Sequence, residues 1–408
     1  MFESDEEDPQ AAGFDPERLA RLNDALAADV EARKIPGAVV LIERNGTLAR
    51  WKAFGYRDRE ANIRMEPNDL FRIASMTKPI TSVAVMMLAE RGHLFLPEPV
   101  AGILPQFAHT PVAVENAGDP TLRTEQQVRP MTVRDLLRHT AGLTYGLFGA
   151  SQVKTAYNQA GVFDLRITNA EMVDRLAAIP LAHQPGRVWD YSMATDVLGR
   201  IVEVVSGKTL YDFFQSEIFD PLGMAETGFV ASRELAARMA QPQVNPQQAQ
   251  RFSMTDHTVE WPWQSGGVGL YSTASDYLKF CRMLLAQGAS PAGRLLAAAT
   301  VRLMTADHLP PEIVYDPVTP VLFEAEAPTR EMGQSFGLGF AVRTYPGMNP
   351  LPGSVGDYYW AGALGTYFWI DPAEELIAIF MSQAPGHRLH YRYLMRQLVY
   401  QAIEPRSA

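Results

Sequence analysis

One cysteine in 408 residues, Cys281, leaves no partner for an intramolecular disulfide and no set of thiolates for a metal. Positive charge is scarce as well: 36 lysines and arginines stand against 46 acids, a formal net charge of -10. An acidic chain is not drawn to nucleic acid or to anionic membrane surfaces, so neither is expected as a partner. No apolar run approaches the length that crosses a bilayer. The start, MFESDEEDPQ, has neither the basic opening nor the apolar stretch of a secretory signal. It reads as a solvated, disordered acidic leader over residues 1–13, and the expected compartment is the cytoplasm. Lysine is rare too. With only six in the chain, each one invites a reason.

What is present is ordinary globular composition, 47% hydrophobic and 20% charged, enough for a large core. DPERLARLNDALAADVEARKIPG predicts a helix capped by Asp15, opened by Pro16 and ended by Pro36-Gly37. Two β-rich runs follow around Asn45-Gly46, a hairpin signal. From Ser75 to about Phe252 the pattern is helical, as in ATDVLGRIVEVVSG. β character returns after Gly266 in GGVGLYST, FGLGFAVRTY, GTYFWIDP and ELIAIFMSQ, before a closing helical run. Strands at both ends with helices between imply a mixed α/β fold whose sheet comes from both termini. The division expected is a sheet domain from residues 14–74 and 265–408, with a mainly helical domain over 75–264. The proline- and acid-rich stretch 307–330 is too long for a plain connector and is expected to border a site.

One lysine stands out. In FRIASMTKPITSVAVMMLAERG, Ser75 and Lys78 lie three residues apart at the mouth of an apolar run. On a helix their side chains can meet. Burial favours loss of a proton from an ammonium group, which would let Lys78 accept one from the serine hydroxyl. The bland reading makes Ser75 an N-cap and sends Lys78 to solvent. Ser151 and Lys154, in SQVK, match the same spacing, but the polar TAYNQAG behind them offers nothing to desolvate Lys154. Ser335, in GQSFG, fits a nucleophile elbow with Asp371 and His387 downstream, but lacks the strand before and the helix after. GKT at residues 207–209 fails as a phosphate loop, because Val202 stands where its first glycine belongs. Two further stretches bear on the pair. Tyr191 sits in a short polar loop before a helix, and Trp360-Ala361-Gly362-Ala363 leads into a strand.

With SMTK, LLRHTAGL, YSM, GGVGLYSTASDYLKF and WAG in this order, the chain resembles the serine β-lactamase-like family over roughly residues 14–400. That family comprises class C β-lactamases, the related DD-peptidases and the family VIII carboxylesterases. The resemblance implies an antiparallel sheet flanked by helices plus a mainly helical lobe, with the site between them. It implies Ser75 as nucleophile, Lys78 as its activator and Tyr191 as partner acid or base. The backbone N–H groups of Ser75 and Ala363 would form the oxyanion hole, and no metal or organic cofactor would be required. Trp360 replaces the lysine of the K-T-G motif, and Met193 replaces the asparagine of Y-x-N. Neither can meet a carboxylate or an amide as those residues do.

With Trp360, Gly362 and Met193 as substrate contacts, the site is expected to take short neutral esters and to hydrolyse β-lactams weakly or not at all. The chain is most similar to the esterase branch, and a small ester is the expected partner. An acyltransferase and a β-lactamase or DD-peptidase use the same residues and remain alternatives. So does a non-catalytic binding protein on this fold.

Overall fold

In the computed structural model, which describes residues 7–114, 122–243 and 255–405, the two hydrophobic periods become one sheet and its covering helices. Asp15 accepts hydrogen bonds from the N–H groups of Glu17 and Arg18, and Pro16 opens helix α1 (Pro16–Glu31). A first-turn N–H has no helical acceptor, so the donor that proline lacks costs nothing there. The helix stops at Glu31, ahead of Pro36-Gly37, because Arg33 turns the chain at φ 59°. Asn45 (φ 53°) and Gly46 (φ 73°) then close the hairpin between β1 (Gly37–Arg44) and β2 (Thr47–Asp58). Both central residues are left-handed, the turn whose twist suits a two-residue hairpin.

After β3 (Ile63–Arg64) the chain leaves the sheet and re-enters near its other end. It adds β4 (Gln334–Phe336), β5 (Ala341–Arg343), β6 (Tyr358–Ala361), β7 (Tyr367–Asp371) and β8 (Leu376–Ser382). The eight strands run β4-β5-β6-β7-β8-β1-β2-β3. Every neighbouring pair is antiparallel. The two ends of the chain meet in the middle, with Ala38 opposite Ser382 and Arg44 opposite Leu376. Both β1 and β8 are buried throughout, so they read as apolar runs rather than alternations.

Four more helices matter here: α2 (Thr77–Glu90), α3 (Ala194–Ser206), α4 (Ala274–Leu285) and α5 (Arg388–Tyr400). α4 lies against β1 and β8, α1 against β2 and α5, and α2 against α3. The run GGVGLYST yields only a two-residue strand, Tyr271–Ser272, paired with Phe71–Arg72. With the Ile73 N–H on the Leu270 carbonyl at 3.1 Å, that pairing holds residues 267–272 beside the start of α2.

The leader expected over residues 1–13 needs correction. Residues 1–6 lie outside the described residues, but from Glu7 onward the chain is fastened to β2. The Trp51 N–H donates to Glu7 at 2.8 Å, and the Asp8 N–H donates to the Leu48 carbonyl at 2.9 Å. Ala12 and Phe14 are fully buried. Two apolar side chains in the core outweigh the acidic composition that suggested a tail. Among the described residues, no helix is long and apolar enough to cross a membrane.

Candidate active site

Ser75 lies in a 3₁₀ turn, Ala74–Met76, that runs straight into α2. Neither start carries a side-chain cap, so the serine hydroxyl is not spent on backbone donors. Ala74 takes φ 45°, a left-handed conformation that costs a residue with a β-carbon about 1–3 kcal/mol. The surroundings hold it there. A β-carbon on Gly362 would stand 2.5 Å from the Ile73 carbonyl oxygen, and the Thr366 hydroxyl donates to that same oxygen at 3.2 Å. The turn after β6 is thereby locked onto the serine turn, and only glycine permits the approach. Among the described residues, the Ala363 N–H has no acceptor.

Lys78 is 1% exposed and Ser75 is 6% exposed. Residues Thr77 to Leu88 of α2 are all buried, so the lysine is enclosed by its own helix and what packs on it. Its Nζ reaches three oxygens: Ser75 Oγ at 3.4 Å, Tyr145 OH at 3.0 Å and the Gly267 carbonyl at 2.8 Å. It also lies 4.7 Å from the centre of the Tyr191 ring. The tyrosine hydrogen-bonded to Lys78 is therefore Tyr145, while Tyr191 offers the lysine its π face. Tyr145 was missed by motif reasoning; its only signal is its place just after LLRHTAGL. Burial, then the charges of Asp196 and Tyr191, push the Tyr145 phenol well above its usual range. His139, from that same stretch, is held well below its usual range by burial and by the Lys78 charge. It accepts the Ser192 N–H at 3.3 Å, next to Tyr191.

The walls are aromatic. Trp360 on β6 has ring centres of Tyr191, Phe323 and Phe336 within 5.3–5.4 Å. Phe323 belongs to a short helix, Val318–Phe323, inside the 307–330 stretch, which thus does border the site. A cation, Arg392, reaches the Gly362 carbonyl at 3.4 Å, but its charge is met by buried Glu326 at 3.4 Å. Met193 is fully buried and precedes α3 as a core residue.

The comparisons with known proteins agree on one assignment. A family model described as Beta-lactamase matches residues 22–400. The chain belongs to the beta-lactamase family. It is 35% identical to protein Rv1367c of Mycobacterium tuberculosis over 363 residues, 86% of this chain and 87% of that one. It is 32% identical to esterase EstB of Burkholderia gladioli over 400 residues, 92% of this chain and 93% of that one. Among solved structures it resembles "EstCE1, a hydrolase with promiscuous acyltransferase activity" at a TM-score of 0.77 and 26% identity, covering 94% and 99% of the two chains.

In this beta-lactamase-family chain the rival motifs are structural. Ser151 caps the helix Gln152–Ala160, accepting the Lys154 N–H at 3.2 Å. Lys154 is nevertheless buried, contrary to expectation, because Asp316 from the 307–330 stretch closes over it at 3.3 Å. His183, Asp190 and that same Asp316 bring potential ligand atoms within 4.8 Å of one another, but the Lys154 ammonium already supplies a cation there. Ser335 sits inside β4 and donates to Asp307. Asp371 receives the Tyr400 hydroxyl at 2.6 Å, and His387 is exposed before α5. No elbow triad forms. Gly207 ends α3 at φ 72°, and Lys208 pairs with Glu217.

Proposed function

We propose that the protein is a serine carboxylesterase acting on short neutral esters, with Ser75 as nucleophile. The observation that carries this reading is the set of three partners around Lys78 Nζ. The Gly267 carbonyl can only accept and therefore takes one N–H. Tyr145 takes a second. The third direction leads to Ser75 Oγ, 3.4 Å away, close enough for the hydroxyl and the amine to exchange a proton. Ser75 Oγ attacks the ester carbonyl as its proton passes to Lys78. The oxyanion is received by the N–H groups of Ser75 and Ala363. The alkoxide leaves with a proton returned from Lys78 by way of a neighbouring phenol, Tyr191 being the one the resemblance implies and Tyr145 the one bonded to Nζ, giving an acyl-enzyme and an alcohol. Water then repeats the sequence and frees the acid and Ser75.

Trp360 among aromatic rings offers no cation to an anionic β-lactam, whose carboxylate would lose water without repayment. EstB, named an esterase, supports the same class of substrate. The enclosure of Ser75 favours one second reading: a dry aromatic site can hand the acyl group to an alcohol instead of water. We place the protein in the cytoplasm on the strength of its single, buried cysteine.

The test compares p-nitrophenyl butyrate with a chromogenic cephalosporin, each corrected for spontaneous reactivity, with and without an added alcohol. Ser75→Ala should abolish ester cleavage, and Ser151→Ala and Ser335→Ala should retain most of it. A corrected preference for the cephalosporin, or loss of activity in folded Ser335→Ala, would overturn the assignment.

A further inference from the structure

Asp196 takes part in none of these steps, yet it lies within one residue of the lysine's anchor. It stands in the first turn of α3 and is 1% exposed. Its Oδ1 accepts the Ser265 hydroxyl and, at 3.1 Å, the Gly267 N–H. Its Oδ2 has no hydrogen-bond partner among the described residues. Gly267 thus faces both ways, its N–H given to Asp196 and its carbonyl to Lys78 Nζ at 2.8 Å. A β-carbon on Gly267 would meet Asp196 Oδ2 at 2.5 Å, so the carboxylate packs directly on that residue. The Thr81 hydroxyl pins the neighbouring Gly266 carbonyl at 2.7 Å. A dry carboxylate oxygen without a donor is costly unless a positive charge answers it.

The ionisable groups facing this cluster are Lys78 and Tyr145 from the side of Asp196, with Tyr191 and His139 across the lysine. Burial keeps the Tyr145 phenol protonated and the His139 ring neutral. Asp196 is the carboxylate of the group.

We propose that Asp196 is the counter-charge of Lys78, a positioning residue that works through Gly267. It fixes the direction of Nζ and governs how readily the lysine releases its proton. Burial raises the Asp196 carboxyl above its usual range, while the Lys78 charge, the Ser265 hydroxyl and the Gly267 N–H pull it back. The proposal rests on the Ser75–Lys78 esterase reading.

The test follows the rate at which a fluorophosphonate labels Ser75, read by intact mass across the pH range of amine titration. Asp196→Asn keeps the acceptor for the Gly267 N–H and removes the charge. An amine without its counter-charge loses its proton at lower pH. The acid limb of the labelling rate should therefore move down by about one unit or more, with the alkaline plateau largely kept. Ser265→Ala, which removes one donor to the carboxylate, should move the limb less and in the same direction, and decides the matter if Asp196→Asn does not fold. An unmoved limb in folded variants, with only a lower plateau, would show that Asp196 merely braces the turn and would overturn the proposal. Wild-type protein left unlabelled at Ser75 would instead overturn the esterase reading, and this proposal with it.

Discussion

Lys78 has three directions to fill, and the partner in each has a different consequence. The Gly267 carbonyl holds its position, Ser75 receives its chemistry, and Tyr145 supplies a bond that a phenylalanine would not. Losing that bond should lower kcat/KM roughly tenfold to a hundredfold, the worth of one hydrogen bond to a charged group. Tyr145→Phe is thus a partial defect. Tyr191→Phe should cost more, about 10²–10⁴-fold in kcat, as expected for removal of a proton-transfer group. Both are read with p-nitrophenyl butyrate on protein whose circular dichroism is unchanged. Should Tyr191→Phe keep normal turnover while Tyr145→Phe loses it, the proton relay belongs to Tyr145. Lys78→Arg should be nearly inactive, since a guanidinium stays protonated. Ser75 and Lys78 were legible because a spacing of three residues is written in the chain itself. Tyr145 and Asp196 were not, because Tyr145 reaches the lysine and Asp196 reaches its Gly267 anchor from distant segments, and nothing in TAGLTYG or YSMATD marks a side chain that will do so.

The 307–330 stretch shows the same limit for an element. Its length and composition announced a site-bordering segment, but not what fastens it. Val314–Tyr315 adds to Val188–Trp189 as a parallel pair, and Asp316 then meets Lys154. Phe323, at the end of the following helix, is set against Tyr191 and Trp360. The polar residues around Lys154 gave no sign of burial because the group that buries it comes from 162 residues away. Asp190 and Asp316 share this spot, and Asp316 helps raise the Asp190 carboxyl, though burial contributes more. Lys154→Met would leave two carboxylates together out of water. Stability in urea should fall by about 3 kcal/mol or more, and the Lys154→Met/Asp316→Leu double variant should recover much of it. KM for the ester should rise in the single variant as Phe323 loses its anchor. Additive losses in the double variant would mean that the pair holds nothing.

At the scale of the molecule, the sheet was legible as strands at both ends, and the pairing of Ala38 with Ser382 joins them across most of the chain. What composition could not show is how burial spreads the titration of the fold. His257 Nδ1 lies 2.8 Å from the Phe229 carbonyl, which can only accept, so that nitrogen carries the proton of a neutral ring. Burial depresses its pKa from 6.5 to about 4. A folded-state value below the unfolded one adds stability that is complete above about pH 6.5 and is lost as pH falls towards about 4. The loss amounts to ~3 kcal/mol at 1.36 kcal/mol per unit. Asp135, buried against Arg129 and Arg138, is lowered from 3.8 to about 2, so its share of ~2 kcal/mol goes only below about pH 4. Carboxyls raised by burial, such as Asp69 and Glu326, work the other way and gain stability on acidification. The total curve therefore mixes signs, and a difference isolates the imidazole. His257→Asn places an amide N–H where Nδ1 stands, keeping a donor for the Phe229 carbonyl, and cannot titrate. Urea unfolding of both proteins should show the stability of wild type relative to this variant shrinking by ~3 kcal/mol between neutral pH and about pH 4, with no further change below. A difference that stays flat would mean that His257 takes up its proton as easily folded as unfolded, and that its burial has no part in acid sensitivity.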